Sequence, residues 1–219
     1  MAKIGSNVPA MQDLEKYNVN RSGEFEAIRQ SLYDYQTYAQ VGQTSLIFFQ
    51  TPAGQAGKTL ADTNLELAGQ LPNPKMHLVQ SIEVLFYPSV LPSRGAIADE
   101  ASIFINDTYS LSKSGWLELF IGSKSYLREA PIGRFPPKTK LDGFSAITST
   151  LTAGAATQSR DGYAVFSGRP YMVDPWILLK PTQNFQVTLN WPAAVALNVA
   201  NTTARIGIAL DGVLYRNSQ

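Results

Sequence analysis

No cysteine occurs anywhere in the 219 residues. That absence excludes disulfide staples, thiolate nucleophiles and cysteine-bound metal. Histidine occurs once, at His77. A multi-histidine metal site is thereby excluded, and any Ser/His/Asp relay has to pass through that single residue. Charge is scarce as well. Asp, Glu, Lys and Arg make up 16% of the chain, against about 25% in an average domain. With 18 basic and 17 acidic residues the formal net charge is +1, so no long-range field draws the whole molecule onto nucleic acid or an anionic membrane. No apolar run reaches the roughly 18 residues of a membrane span. The opening MAKIGSNVPAMQDLEKYNVN lacks the apolar core of a secretory signal, which leads us to expect synthesis in the cytoplasm.

Ser, Thr, Asn, Gln and Gly stand where charge is missing. Such a surface suits a protein largely covered by neighbours, because interface cores are depleted in charged residues. It suits an extracellular β protein equally well.

One stretch imitates a nucleotide-binding loop. FQTPAGQAGKTLADTN, Phe49 to Asn64, follows the apolar run Leu46 to Phe49 and contains Gly57-Lys58-Thr59. The G-x-x-x-x-G-K-[ST] pattern requires glycine at position 52, where the chain has Pro52. Proline has no N–H and a fixed φ, so it removes a donor where the phosphate cradle begins. The stretch reads instead as a polar loop turning in solvent, with Lys58 dispensable for stability.

Residues 1–21 are polar and without period, and they read as an arm. The segment SGEFEAIRQSLYDYQTYAQ then repeats Phe25, Ile28, Leu32, Tyr35 and Ala39 at helical spacing, with Ser22 as N-cap and Gly42 as terminator. A strand with Tyr33, Tyr35 and Thr37 on one face is the competing reading. From residue 44 onward the pattern is of strands. SIEVLFYP, SIFIND, WLELFIG, YAVFS, WILLK, NFQVTLNW and RIGIALDG, with Leu46–Gln50, give about eight half-buried segments. In NFQVTLNW, Phe185, Val187, Leu189 and Trp191 alternate with Asn184, Gln186, Thr188 and Asn190. Asp142-Gly143, Asp161-Gly162 and Asp211-Gly212 suit tight turns or bulges. Residues 142–162 and SVLPSRGAIADEA read as long loops. The whole is expected to be an all-β jelly-roll sandwich of Greek-key type, with an arm and short helix over residues 1–42 and the sandwich over residues 43–219.

Candidate chemistry is thin. His77 reads as a strand-edge residue with ordinary contacts. Paired carboxylates for glycoside chemistry would have to come from Asp99, Glu100 and Glu118. Asp99 and Glu100 are adjacent and point apart on an extended chain, and Glu118 alternates onto a solvent face. The chain is therefore read as a non-enzyme, with no cofactor, no metal and no small-molecule substrate. Lys124, Arg128, Arg134, Lys138 and Lys140, interleaved with Tyr126 and Phe135, form a loose basic cluster. It is either a solvated loop or an anion or nucleic-acid contact. Tyrosine and tryptophan are abundant, and their surplus favours interfaces and sugar-stacking sites.

The strand spacing of SIEVLFYP, PWILLKPTQNFQVTLNWP and ARIGIALDGVLYR resembles that of the single jelly-roll coat proteins of small tailless viruses and phages. The resemblance covers about residues 44–216. It implies a virion protein that assembles with other copies of itself into an icosahedral shell. It also implies contacts with minor capsid or vertex proteins and a weak contact with genome or an internal membrane. Genome-binding arms are usually strongly basic, whereas residues 1–21 carry Lys3, Lys16 and Arg21 against Asp13 and Glu15; this arm is expected to tie subunits together. The alternative is a carbohydrate-binding or receptor-binding β-sandwich.

Overall fold

The computed structural model describes residues 25–87, 100–138, 140–146, 160–166, 168–197 and 203–217. The expected arm, most of SVLPSRGAIADEA and residues 147–159 lie outside them. Along the chain run β1 (Phe25–Arg29), β2 (Leu32–Tyr38), β3 (Ser45–Phe48), β4 (Met76–Tyr87), α1 (Glu100–Ser114), β5 (Trp116–Ile121) and β6 (Lys124–Glu129). They are followed by β7 (Lys140–Ala146), β8 (Arg160–Phe166), β9 (Tyr171–Leu179), β10 (Phe185–Asn190) and β11 (Ala204–Asn217).

The protein is a β-sandwich of two antiparallel sheets. The first has the order β1–β11–β4–β9, with β2 also paired to β11; the second has the order β3–β10–β5–β6. β7 and β8 pair separately with each other. Between the sheets lie Leu46 and Phe48 of β3, Leu117 and Leu119 of β5, and Val187 and Leu189 of β10, facing Ile82, Ile206 and Ile208 of the first sheet. Period two sends these side chains to one face, and burying each contributes about 1.5–3 kcal/mol. The alternation read in WLELFIG, NFQVTLNW and RIGIALDG is the observed one. Trp191 closes the core at one end, its ring edge-on to Tyr38 at 5.4 Å and its Nε1–H donating to the Leu111 carbonyl.

Residues 25–38 are strands, not the expected helix. β11 is 14 residues long, and β4 occupies only one of its edges. β2 takes the first half of the other edge, from Ala204↔Tyr38 to Leu210↔Leu32, and β1 takes the second, from Val213↔Arg29 to Asn217↔Phe25. Pairing an otherwise open edge satisfies a row of backbone groups, and that tertiary gain overrides a short run of helical spacing. Tyr33, Tyr35 and Thr37 do share one face. Among the described residues the sandwich already includes β1 and β2, so the boundary drawn at residue 42 falls inside it.

The gap at Gln30–Ser31 faces a β-bulge at Asp211–Gly212, where the Gln30 N–H donates to the Gly212 carbonyl at 3.2 Å. A Cβ on residue 212 would lie 1.8 Å from the Leu78 carbonyl oxygen, so only glycine fits. Beyond the bulge the faces exchange. Leu210 belongs to the inter-sheet core, whereas Val213 and Tyr215 join Met76, Leu78 and Leu178 in a second buried cluster.

Two other expectations are corrected. SIFIND lies in α1, not in a strand. Helical spacing buries Asp107 and Leu111 together, a period that two alternating isoleucines are too few to reveal. Asp142-Gly143 and Asp161-Gly162 lie within β7 and β8, in register with Ala164-Tyr163 and Ser145-Phe144, so the ends of the expected long loop are paired strands.

Candidate functional site

The five basic residues singled out by sequence do not converge. Lys124 stands exposed at the β5–β6 turn, and Arg128 lies on β6. The Arg128 guanidinium grips Glu118, Nε to Oε1 at 3.0 Å and a terminal nitrogen to Oε2 at 3.2 Å. Arg134 ends a single 3-10 turn, Ile132–Arg134, and pairs with Glu129 at 2.5 Å while its guanidinium stands 5.8 Å from the Tyr171 ring centre. Lys138 turns toward the first sheet, where it meets Asp211 and, at 3.5 Å, Glu83. Lys140 opens β7 opposite Phe166. Three of the five cations are thus neutralised by carboxylates, on two different sheets.

Of the carboxylates named from sequence, Asp99 lies outside the described residues and Glu100 opens α1. Glu118 lies on the outer face of β5 but is not free in solvent. It is 8% exposed, with Trp116 Nε1–H donating to Oε1 at 2.8 Å beside the Arg128 fork.

The buried carboxylates that matter were not legible as a set. Asp34 is fully buried. Its Oδ2 accepts the Phe49 N–H at 2.7 Å and Gln36 Nε2–H at 3.2 Å, and its Oδ1 meets the Lys58 ammonium. The false phosphate loop is thus clamped onto β2 by its own lysine, and Lys58 is not a solvent-facing residue. Phe49 adopts φ 66°, which turns its N–H toward Asp34. Glu83 and Asp211, on neighbouring strands β4 and β11, are also buried, and both meet the Lys138 ammonium.

An aromatic cluster lies on the outer face of the first sheet. Tyr35 lies over Gly207, where a Cβ would come within 2.2 Å of the ring. Tyr33 and Tyr87 flank it at 6.1 and 6.2 Å between ring centres. Arg205 stacks on Tyr35 at 4.0 Å and pairs with Asp62 at 2.8 Å. Burial, then the neighbouring Tyr87, pushes the Tyr35 phenol up to about 12. Backbone hydrogen bonding from Thr59 leads the effects that hold Asp62 below the ordinary carboxylate range.

His77 is the second residue of β4, at the start of the strand as expected, but it is only 1% exposed. Its Nε2–H donates to the Leu210 carbonyl at 3.0 Å, and complete burial pushes its pKa down to about 4, so the ring is neutral at pH 7. It lines a cleft of about 180 Å³ with Lys75, Glu66, Asn64 and Arg216. Lys75 pairs with Glu66, and Arg216 with Glu26. Among the described residues no three His, Cys, Asp or Glu side chains gather as a metal-ligand set, and no helix is long and apolar enough to cross a membrane.

No family model, no curated protein and no solved structure matches the chain.

Proposed function

We propose that this chain is the coat subunit of a small tailless virus or phage, a jelly roll that assembles with copies of itself into a closed shell. The strand order carries the proposal. Count β1 and β2 as one interrupted strand and set the β7–β8 pair aside as an insertion. The first sheet then runs first–eighth–third–sixth and the second runs second–seventh–fourth–fifth. Successive strands alternate between the sheets except at the β5–β6 hairpin, an order that supports reading the sandwich as a rolled-up pair of Greek keys.

The surface supports the same reading. Val41, Ile47, Leu60, Tyr109, Tyr126 and Met172 are all at least 40% exposed, on a chain whose charged content is 16%. Scattered apolar residues facing outward with few charges between them suit a molecule with several neighbours. The partners in this reading are other copies, minor capsid or vertex proteins, and a weak contact with genome or an inner membrane; the location is the virion. The role is structural, without a catalytic step or a cofactor.

Electron microscopy and light scattering of the purified full chain test the proposal. Closed particles that form with rising protein concentration support it. A monomer at every concentration, whose melting temperature rises with one glycan, replaces it with the carbohydrate-binding reading.

A further inference from the structure

Lys138, Glu83 and Asp211 come from three separate segments and meet at the bulge of β11. The segment carrying Lys138 is pinned along β4. The Val84 N–H donates to the Phe135 carbonyl at 3.0 Å, and the Lys138 N–H donates to Glu83 Oε2 at 2.8 Å. Its ammonium contacts Asp211 Oδ2 and lies 3.5 Å from Glu83 Oε1. The Ser31 hydroxyl donates to the other Asp211 oxygen, Oδ1. Glu83 and Asp211 are only 6% and 7% exposed. Two shielded carboxylates therefore share one ammonium, an arrangement whose desolvation cost is only partly offset by attraction.

We infer that Lys138 and Asp211 join in an intramolecular isopeptide bond, with Glu83 carrying the proton. The Lys138 ammonium gives a proton to Glu83. The neutral amine attacks Cγ of Asp211 as Glu83 passes that proton to Oδ2, so the N–C bond forms while the Cγ–Oδ1 π bond breaks. The tetrahedral oxygen on Oδ1 is held by the Ser31 hydroxyl, a donor aimed where negative charge develops. Nitrogen then gives a second proton to Oδ2, the Cγ–Oδ2 bond breaks as the Cγ=Oδ1 bond re-forms, and one water departs. One ammonium and one carboxylate become one neutral amide, Glu83 ends as the carboxylate it was, and no oxidant or co-reactant is needed. Lys138 is 42% exposed along its side chain, which gives the water a way out.

Asp211 is the electrophile and Glu83 the carrier because of how each is held. Glu83 already accepts the backbone N–H of Lys138 itself. Asp211 stands on a different strand, braced from behind by Ser31. The bond ties the segment before β7 to the longest strand of the first sheet and closes a long loop of the chain, which restricts the unfolded state as other cross-links do.

Intact-mass spectrometry of the folded full chain tests the inference directly. The expected mass is that of the sequence less one water, with a branched peptide joining Lys138 to Asp211 after digestion. Asp211→Ala and Lys138→Arg should restore the uncondensed mass. Asp211→Asn should still link, with loss of ammonia, and reach the same final mass as the wild type. Glu83→Gln should slow or abolish linkage while the chain still folds. A folded wild-type chain with the full sequence mass and no branched peptide overturns the bond and leaves a salt bridge.

Discussion

The ammonium of Lys58 lies 2.5 Å from Oδ1 of Asp34, a carboxylate with no exposure to solvent. That contact reverses what a polar, glycine-rich loop suggests for its lysine. Lys58→Ala removes the counter-ion and leaves a buried charge, so stability should fall by about 3–5 kcal/mol in urea unfolding. Asp34→Asn combined with Lys58→Met should cost less than Lys58→Ala alone. Asparagine still accepts the Phe49 N–H, and no unpaired charge is buried. Magnesium and ATP should change neither result. An unchanged unfolding midpoint for Lys58→Ala would return Lys58 to solvent.

Tyr35 depends on the missing side chain of Gly207. A methyl at 207 meets the ring at 2.2 Å, and overpacking of this kind costs about 1–3 kcal/mol. The ring should lift away from Tyr87 and Arg205 as it makes room. The Tyr35 phenol, held at about 12 by burial and by Tyr87, should then titrate closer to 10.0. Ultraviolet titration of Gly207→Ala beside the wild type and Tyr35→Phe measures this shift, and an unmoved titration shows that the ring stays in place.

His77 links stability to pH. Its folded pKa of about 4 lies below the unconstrained 6.5, so between those values the unfolded chain binds a proton that the native chain refuses. The stabilisation is fully present above pH 6.5 and declines as pH falls toward about 4. The slope approaches about 1.4 kcal/mol per pH unit, for a total of about 3 kcal/mol. His77→Asn should flatten that part of the profile, although it lowers stability at pH 7 by disturbing the bond to Leu210. A variant with the same slope as the wild type would assign the pH dependence to carboxylates.

The strands facing the core were legible wherever alternation ran for several residues, as in Phe185 to Trp191, because period two separates apolar from polar side chains without knowledge of partners. Residues 25–38 were not. Their fate depended on the open edge of β11, nearly two hundred residues away in sequence, and local spacing carries no trace of an edge. Asp142-Gly143 was misread for a related reason. Gly143 pairs opposite Tyr163, and that long-range register outweighs the turn preference of the dipeptide. The charged clusters were hidden for the same cause. Asp34 and Lys58 lie on different elements, as do Glu83, Lys138 and Asp211, and none of these groups has a spacing rule. The basic run 124–140 looked coherent in one dimension because the carboxylates that neutralise it come from elsewhere in the fold.

The outer face of the second sheet allows assembly to be separated from folding. Across it, in register, run Ile47 of β3, Thr188 of β10, Glu118 of β5 and Arg128 of β6. Thr188 faces outward as its alternation requires, but it is only 8% exposed, and its hydroxyl accepts Asn190 Nδ2–H at 3.0 Å. Thr188→Asp sets a carboxylate directly opposite Glu118, so it should destabilise the monomer by about 1 kcal/mol and cannot isolate an interface. Ile47 is 49% exposed on an edge strand. Ile47→Glu should therefore leave the melting transition almost unmoved, within about 0.5 kcal/mol, as at ordinary surface sites. If this face packs against a neighbouring copy, the same change buries a charge at the contact and should abolish large particles in light scattering. Wild-type-sized particles from Ile47→Glu would place Ile47 outside the contacts. The exposed edge of β6, with Tyr126 at 53%, would then be the next surface to carry the same substitution.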